Sequence, residues 1–296
     1  MKRLVCLIIG LMIIWSGTAF ADASATAKKN DKGWIEIPMG VGTKEGTTYD
    51  KCRMKINTFL KAWKIRLTPV YGGTTFSMEQ LKSNEIAIAL VQGNGPIQPK
   101  YVSMDLEGFG ALHKEYVHFA VKRGGKLNEF SDLKKGFTVA IGKDTGGAAM
   151  SWADMVRLWP KLKGVSLSPK SGTRARKALG NGKIDAWFAV TGVPDGSFMQ
   201  AAQEKDGRKS IYEIVEMDKM VLNNWEFNGE KVYEFEKLDD DVYPGMIDGM
   251  SVKTVFMRAQ IIGLTDWVDN NEALYEKIVA AIDKARPAIL KMTEND

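Results

Sequence analysis

The stretch Phe137-Thr-Val-Ala-Ile-Gly-Lys-Asp-Thr-Gly-Gly-Ala-Ala-Met-Ser-Trp-Ala-Asp-Met-Val156 carries the pattern with the most chemical content. Its first five residues predict a buried strand. Gly142 to Gly147 predict a turn of small residues, and Ala148 onward a helix with apolar positions three and four apart. A strand that ends in such a turn and opens a helix leaves several backbone N–H groups pointing into the turn, with the positive end of the helix dipole behind them. The chemistry available there is capture of an anion. The same pattern also serves as a plain connection, so one copy does not make a site.

The chain holds a second copy. Ile35-Glu-Ile-Pro-Met-Gly-Val-Gly-Thr-Lys-Glu-Gly-Thr-Thr-Tyr49 runs from a short strand through spaced glycines into a helix, and Gly42 and Gly46 match Gly142 and Gly146 at an offset of 100 residues. Downstream, Gly72-Gly-Thr74 resembles Ser171-Gly-Thr173, each before a short helix. Then Asn84 to Gly93 lies against Gly182 to Gly192 at an offset of 98 to 99. Two α/β units of one plan are predicted.

Other reactive side chains are few. Arg174 or Arg176, just after Ser171-Gly172, either reaches the cleft and pairs with a carboxylate or belongs to a solvated helix face. His113 and His118 are five apart, without the spacing or companion glutamate of a zinc helix, and read as packed or hydrogen-bonded. Cys52, on a helical apolar stripe with Ile56, Phe59, Leu60 and Trp63, reads as core. Trp152, Met155 and Trp159 read the same way.

Gly40-Val-Gly-Thr-Lys-Glu45 fails the dinucleotide fingerprint at Glu45, and Gly142-Lys-Asp144 lacks the hydroxyl of a P-loop. There is no Gly-x-Ser-x-Gly elbow and no Cys–His pair. Asp185 and Glu85, at equivalent places in the two units, read as structural. Nothing assigns an acid, a base or a nucleophile.

The elements that must position the turns follow from the pattern. Strands are predicted from about Trp34 to Pro38 and Ile65 to Val70, with a helix from about Thr48 to Trp63 between them. Ser77-Met-Glu-Gln80 has capping-box spacing for a short helix ending near Ser83. Ile86 to Val91 is nearly continuously apolar, as a central parallel strand is, and Gln92-Gly-Asn-Gly95 at its carboxyl end then lies in the cleft. Leu112 to Lys122 alternates and is read as a first crossing between lobes, and Val252 to Met257 as the return. Glu236 to Tyr243 reads as acidic and irregular. Glu272 to Met292 predicts a long amphipathic helix kinked at Pro287. Two crossings make a hinge on which lobes can close.

A chain of 296 residues is large enough for two lobes. Lys2 and Arg3 precede an apolar run from Leu4 to Trp15, and Ala19-Phe-Ala21 offers small residues for signal peptidase, so cleavage after Ala21 and export are expected. The run is shorter than the roughly 20 residues of a membrane span. Cys6 lies too early for a lipid-attachment cysteine, and its removal leaves Cys52 with no internal disulfide partner. The formal charge of +5 loses Lys2 and Arg3 with the signal, and the other lysines are scattered. That excludes the concentrated basic face of a nucleic-acid binder.

With these residues on the page, the mature chain resembles the TAXI family of TRAP-transporter solute receptors. The resemblance rests on Gly42 to Tyr49, Gly72 to Thr75, Ile86 to Gln92, Val139 to Gly142 with its turn, Gly182 to Phe188, and Tyr243-Pro-Gly245. It implies an α/β, two-lobed type II periplasmic-binding-protein fold with a double-crossing hinge. It also implies capture of a small organic anion, a carboxylate or amino acid, for delivery to a membrane permease driven by an ion gradient. The contacts it implies are Thr48, Tyr49, Gly73, Thr74, Gln92, Thr145, Gly146 and Thr191, to which the residue reading adds Arg174. Lys44 and Glu45 stand where the family has glycines, Gln92-Gly93 where a Ser-Asp type pair is usual, and Thr145-Gly-Gly147 where a Ser-Gly-Thr type turn is usual. These departures bear on ligand identity rather than fold.

The expected organisation is a signal peptide over 1–21, a discontinuous lobe 1 over 33–117 and 253–296, and lobe 2 over 122–250, with linkers near 118–121 and 250–253. The expectation is a periplasmic, monomeric, non-enzymatic receptor with no cofactor and no metal. The alternatives are a ligand-presenting subunit of a sensor kinase or an ABC importer, and an exported enzyme.

Overall fold

The computed structural model describes residues 27–217 and 224–293. The expected signal peptide lies outside the described residues. Among the described residues, no helix is long and apolar enough to cross a membrane.

Each half of the chain builds the same unit. In the first, β1 (Ile35–Val41) leads through the Gly42–Gly46 turn to α1 (Thr48–Leu60). Then follow β2 (Ile65–Tyr71), α2 (Gly73–Lys82) and β3 (Ile88–Gln92). In the second, after the long strand β4 (Leu106–Lys122), β5 (Thr138–Ala140) leads to α3 (Gly147–Leu158). Then follow β6 (Ser166–Ser168), α4 (Gly172–Gly180) and β7 (Ala186–Thr191). β1 lies parallel between β2 and β3, and β5 lies parallel between β6 and β7. The repeat read from spaced glycines is therefore a repeat of strand order, 2-1-3 in each unit.

The units are joined by β4 and the equally long β9 (Ser251–Leu264), which follows α5 (Gly196–Gln203) and β8 (Glu234–Asp239). β4 pairs with β9 from Leu106 to Tyr116 and with β7 from Tyr116 to Val121, all antiparallel. β9 pairs with β3 over Ala259–Gly263 and with β8 over Ser251–Phe256. Both strands cross without a break, so the double crossing is a two-stranded ribbon that passes from one unit into the other. α6 (Glu272–Thr293) then returns to cover the first unit and continues through Pro287, which has no N–H to give the carbonyl one turn back.

Packing follows the apolar periods. On α1, Cys52, Ile56 and Leu60 meet Ile37, Met39 and Leu67 of β1 and β2, with Ile278, Ile282 and Ile289 of α6 behind them. Every residue of β3 is buried, as a strand covered on both faces requires. In the second unit Trp152 and Met155 of α3 pack on Val139 and Phe188, while Ala175 and Leu179 of α4 and Phe198 of α5 pack on Trp187 from the opposite side. Trp152 and Met155 are core, as expected, and Cys52 is fully buried.

Two local expectations are corrected. The helix assigned to a capping box at Ser77 starts four residues earlier, at Gly73, whose φ of +80° a glycine adopts without strain. Ser77 is then interior to the helix and buried, with its hydroxyl against Gly40. Of the segment read as acidic and irregular, Glu236–Asp239 belongs to β8. Phe235 and Leu238 alternate with charged neighbours there, and the pairing with β9 outweighs their low strand preference.

Candidate functional site

In the first unit, the carboxyl ends of β1, β2 and β3 carry the two helix starts predicted from the glycines. The Gly42 carbonyl accepts from Gly72 N–H at 3.1 Å, which ties the first turn to the second. Gly46 N–H donates to the Asp50 carboxylate at 3.0 Å, and Asp50 also accepts from Arg53 Nε and Nη2 at 2.9 and 2.6 Å. Burial alone would raise the Asp50 pKa. The Gly46 amide and the Arg53 guanidinium outweigh it and hold the carboxyl below its usual range. This turn therefore already seats an anion, its own. The two glycine turns differ in backbone, Gly46 lying at φ +75° where Gly146 lies at φ −87°, and Gly142 rather than Gly42 taking a positive φ.

The helix start of the second unit, like that of α1, has no side-chain cap. Gly142, at φ +76°, donates its N–H to the Lys170 carbonyl at 2.9 Å, and Gly146 N–H closes the turn on the Lys143 carbonyl at 2.9 Å. Met150 N–H makes the first helical bond, to the Gly146 carbonyl, and no side chain caps the start. The amides of Gly147, Ala148 and Ala149 thus face outward with the dipole behind them.

Gln92, at the end of β3, bridges the units. Its N–H donates to Thr74 Oγ1 at 3.1 Å, at the start of α2. Its side-chain Nε2 lies 3.1 Å from both Ser151 Oγ of α3 and Met257 Sδ of β9. A Cβ on Gly147 would stand 1.9 Å from Gln92 Oε1. Two helix starts, one from each unit, thus meet on a single residue. Beside it a second bridge forms, in which Asn94 Nδ2 and Gln98 Nε2 donate to the buried Asp154 carboxylate of α3 at 2.8 and 2.9 Å.

The floor beneath is the crossing ribbon. Met257 pairs with Glu115 across β9 and β4, so both side chains and that of Gln92 share one face of the sheet. Tyr49 of α1 donates its hydroxyl to Glu115 Oε2 at 2.9 Å and stands edge-on to His113, ring centroids 5.9 Å apart. Burial raises the Tyr49 pKa, helped by the Glu115 charge. Burial pushes Glu115 up to about 7, against the opposing Tyr49 hydrogen bond, and pulls His113 down to about 4.

The sign for stability follows. The folded pKa of Glu115 is raised, so its contribution is complete below about pH 4.5 and is lost as pH rises through about 7. Glu115→Gln is expected to stabilise the ligand-free protein above pH 7 by up to about 3 kcal/mol, at ~1.4 kcal/mol per unit. It should leave stability unchanged near pH 4. Urea denaturation of both proteins at pH 4.5 and 8 checks this, and a difference independent of pH would contradict it.

The predicted residues divide into groups. Tyr49, Thr74 and Gln92 come together, with Gly73 beside Thr43 and Thr48 opening α1. Gly146 and exposed Thr145 sit on the facing helix start. Thr191 stands apart. It pairs with Tyr116, which puts it on the sheet face opposite Glu115, and its hydroxyl bonds Asp195 at 3.1 Å. Arg174 is exposed, whereas Arg176 is buried and paired with Glu204, so the second arginine is occupied away from the cluster. Lys44 and Glu45 are exposed. His118 bonds the Tyr116 carbonyl and the Tyr243 hydroxyl at 3.0 and 3.1 Å. Asp185 accepts from Thr138 N–H at 2.8 Å, which is structural. Among the described residues no cluster of His, Cys, Asp or Glu is arranged to hold a metal. A recess of about 650 Å³ lined by Phe130, Trp159, Glu213 and Asp248 lies in the second unit and contains none of the predicted residues.

Glu115, Ser151 and Asp154 were not expected in the site. Glu115 sits in an alternating strand, where a glutamate reads as solvent-facing, and Asp154 lies mid-helix.

With the geometry in place, comparisons can be added. A search of the curated proteins gives no match. The fold is similar to that of the periplasmic aliphatic sulphonate binding protein SsuA from Escherichia coli. That protein is 14% identical, over 85% of this chain and 72% of that one, with a TM-score of 0.50. It is similar also to an arginine third transport system periplasmic binding protein from Legionella pneumophila, 12% identical over 88% of this chain and 98% of that one, with a TM-score of 0.50. At such identities the likeness is one of fold, and the fold is the two-lobed type II form of periplasmic binding proteins. The model of the NMT1-like family matches residues 67–261, from β2 through both crossings of the ribbon. With well over half of its length matched in this way, the chain belongs to the NMT1-like family.

Proposed function

We propose that this protein is an exported solute-binding receptor that closes its two lobes on a small organic anion, a carboxylate or amino acid. In this reading the lobes comprise 33–117 with 253–296, and 122–250, turning about segments near 118–121 and 250–253. The chain acts as a monomer in the periplasm after cleavage behind Ala21. It binds rather than converts its ligand.

The observation that carries the reading is the meeting of the Thr74 and Gly147 helix starts on Gln92. Neither start has a side-chain cap, and each charge–dipole contact there is worth roughly 0.3 to 2 kcal/mol. Thr145 supplies an amide, and Gly146, whose own N–H closes the turn on Lys143, presents the helix start behind it. Thr48, Tyr49, Gly73, Thr74 and Gln92 form the opposite wall and Arg174 the outer rim, whereas Thr191, on the other sheet face, falls outside it.

The membrane partner proposed is a TRAP-type permease driven by an ion gradient, because the motifs from Gly42 to Tyr49 and from Gly182 to Phe188 resemble TAXI receptors. A second reading, service to an ABC importer, draws on the similar Legionella protein, whose title places it in an arginine transport system.

The double variant Thr145→Pro with Gly146→Val removes one amide and covers another, while leaving the core untouched. Isothermal calorimetry with the solute that the wild type retains should show affinity lowered at least about tenfold at an unchanged melting temperature. Unchanged affinity would move the site elsewhere.

A further inference from the structure

Lysines that are scattered along the sequence do not all stay scattered in the fold. The short strand Lys28–Lys29 pairs antiparallel with Glu36 and Ile35 at the amino end of β1, and Ile35 pairs with Ile65 at the amino end of β2. Ile35 N–H also donates to the Lys64 carbonyl at 2.8 Å. Lys29, the turn that holds Lys32, and the turn Lys61–Trp63 that ends α1 therefore lie side by side at one end of the first unit. From α6, Lys284 Nζ lies 5.5 Å from the centre of the Trp63 ring. Lys55 stands four residues before Phe59, about one turn away on the outer side of α1.

Lys29, Lys32, Lys55, Lys61, Lys64 and Lys284 are all exposed, and so are Phe59 and Trp63, at 36% and 37%. The acidic residues beside them in sequence are Asp31, Glu36, which accepts from Asn30 at 3.1 Å, and Asp283, which is paired with Arg286. α1 itself carries one acid, Asp50, buried near its start and paired with Arg53. A helix dipole favours cations at a helix C-terminus, which accounts for Lys61 and Lys64. It accounts neither for Lys29, Lys32, Lys55 and Lys284, from other elements or an earlier turn, nor for two large aromatic rings left exposed among them.

A helix with a basic solvent side and exposed rings matches an anionic bilayer surface, where ammonium groups meet phosphates and rings enter the headgroup layer. The end of α3 does not repeat the pattern, because Trp159 and Lys161 there share the recess with Glu129, Glu213 and Asp248. We propose that the Lys61–Trp63 end of the first lobe docks on anionic phospholipid headgroups. The helix starts of the interlobe site lie at the other end of α1. Its 13 residues, at ~1.5 Å each, put the lysine-rich end roughly 20 Å from the cleft. A docked receptor thus keeps its cleft open to solvent while it is concentrated at the membrane, where the partner proposed above resides. The docking itself does not depend on what the cleft binds.

The test is flotation of the full mature chain with vesicles of phosphatidylglycerol and phosphatidylcholine, against vesicles of phosphatidylcholine alone. The wild type should bind the anionic vesicles at least about tenfold more tightly, and raising salt from about 0.05 to about 0.5 M should remove most of that preference. The triple variant Lys55→Gln, Lys61→Gln, Lys64→Gln should lose about 10- to 100-fold in affinity, and Trp63→Ser about three- to tenfold. Lys177→Gln, Lys183→Gln, Lys205→Gln takes the same charge from exposed sites of the second unit and should lose less than about threefold. The wild-type preference needs no variant, so a folding defect would not shield the proposal. Equal binding of anionic and neutral vesicles by the wild type, or equal losses in the two triple variants, overturns it. So does equally tight binding of a DNA duplex, which would make this end a general polyanion seat. No arm of the test supplies a solute, so its failure would leave the interlobe site standing.

Discussion

Asp154→Ala is expected to cost about 3–5 kcal/mol of folding stability, because it removes several hydrogen bonds to a buried charged group, each worth roughly 1.5–3 kcal/mol. Asp154 is fully buried in α3. Its carboxylate accepts from Asn94 and Gln98 of the first unit, from the Tyr233 hydroxyl at 2.6 Å, and from Arg157 Nη2 at 2.7 Å. Alanine would leave the Tyr233 hydroxyl without its acceptor, Asn94 and Gln98 with only their bonds to Ser151, Tyr233 and the Asn94 carbonyl, and Arg157, stacked over Trp225 at 4.4 Å, without its ion-pair partner. Because Asn94 and Gln98 follow β3 whereas Asp154 lies on α3, the loss also loosens the contact between lobes. Asp154→Asn keeps the shape and part of the accepting capacity and should cost less. Urea denaturation reads both effects, and a loss below about 1 kcal/mol for alanine would show that the cluster adds little beyond its shape.

The second large effect belongs to closure. Gly147→Val is expected to lower ligand affinity about 100-fold, or ~2.7 kcal/mol, and to cost about 1–3 kcal/mol of stability, the range for overpacking a filled site. A Cβ at Gly147 would fall 1.9 Å from Gln92 Oε1. Gln92 cannot yield freely, since it is buried and its Nε2 is held against Ser151 and Met257. The branched side chain therefore keeps the helix start off the residue on which the lobes meet. Calorimetry reads the affinity and thermal denaturation reads the stability. An affinity within threefold of wild type would detach Gly147 from the site.

Much of this architecture was legible because it is local. The strand, glycine turn and helix succession near Gly42 and again near Gly142 depends on neighbours in sequence, and the 2-1-3 order of both units follows from it. The stripe of Cys52, Ile56 and Leu60 likewise forecast which side of α1 is covered. What stayed hidden depends on parts brought together from far apart. Glu115 becomes a buried carboxylate held by a phenol only because α1 delivers Tyr49 to it from 66 positions away. Asp154 gains its meaning from Asn94, 60 positions away. The two turns differ in what takes the matched amide, a side chain (Asp50) for Gly46 and a backbone carbonyl (Lys143) for Gly146, and the spacing of Asp50 from Gly46 is that of any early helix acid. Ser77 misled because a capping-box spacing also occurs inside a helix, where Gly73 supplies a better start.

The central claim is that two helix starts, one from each lobe, enclose a small solute against the crossing ribbon. Native mass spectrometry of protein taken directly from the exporting cell tests it most directly. The account predicts a folded species heavier than the mature chain by one small organic molecule, lost on unfolding and absent from the Gly147→Val variant. A folded wild-type protein of bare mass that takes up none of the tested amino, hydroxy or carboxylic acids would contradict it.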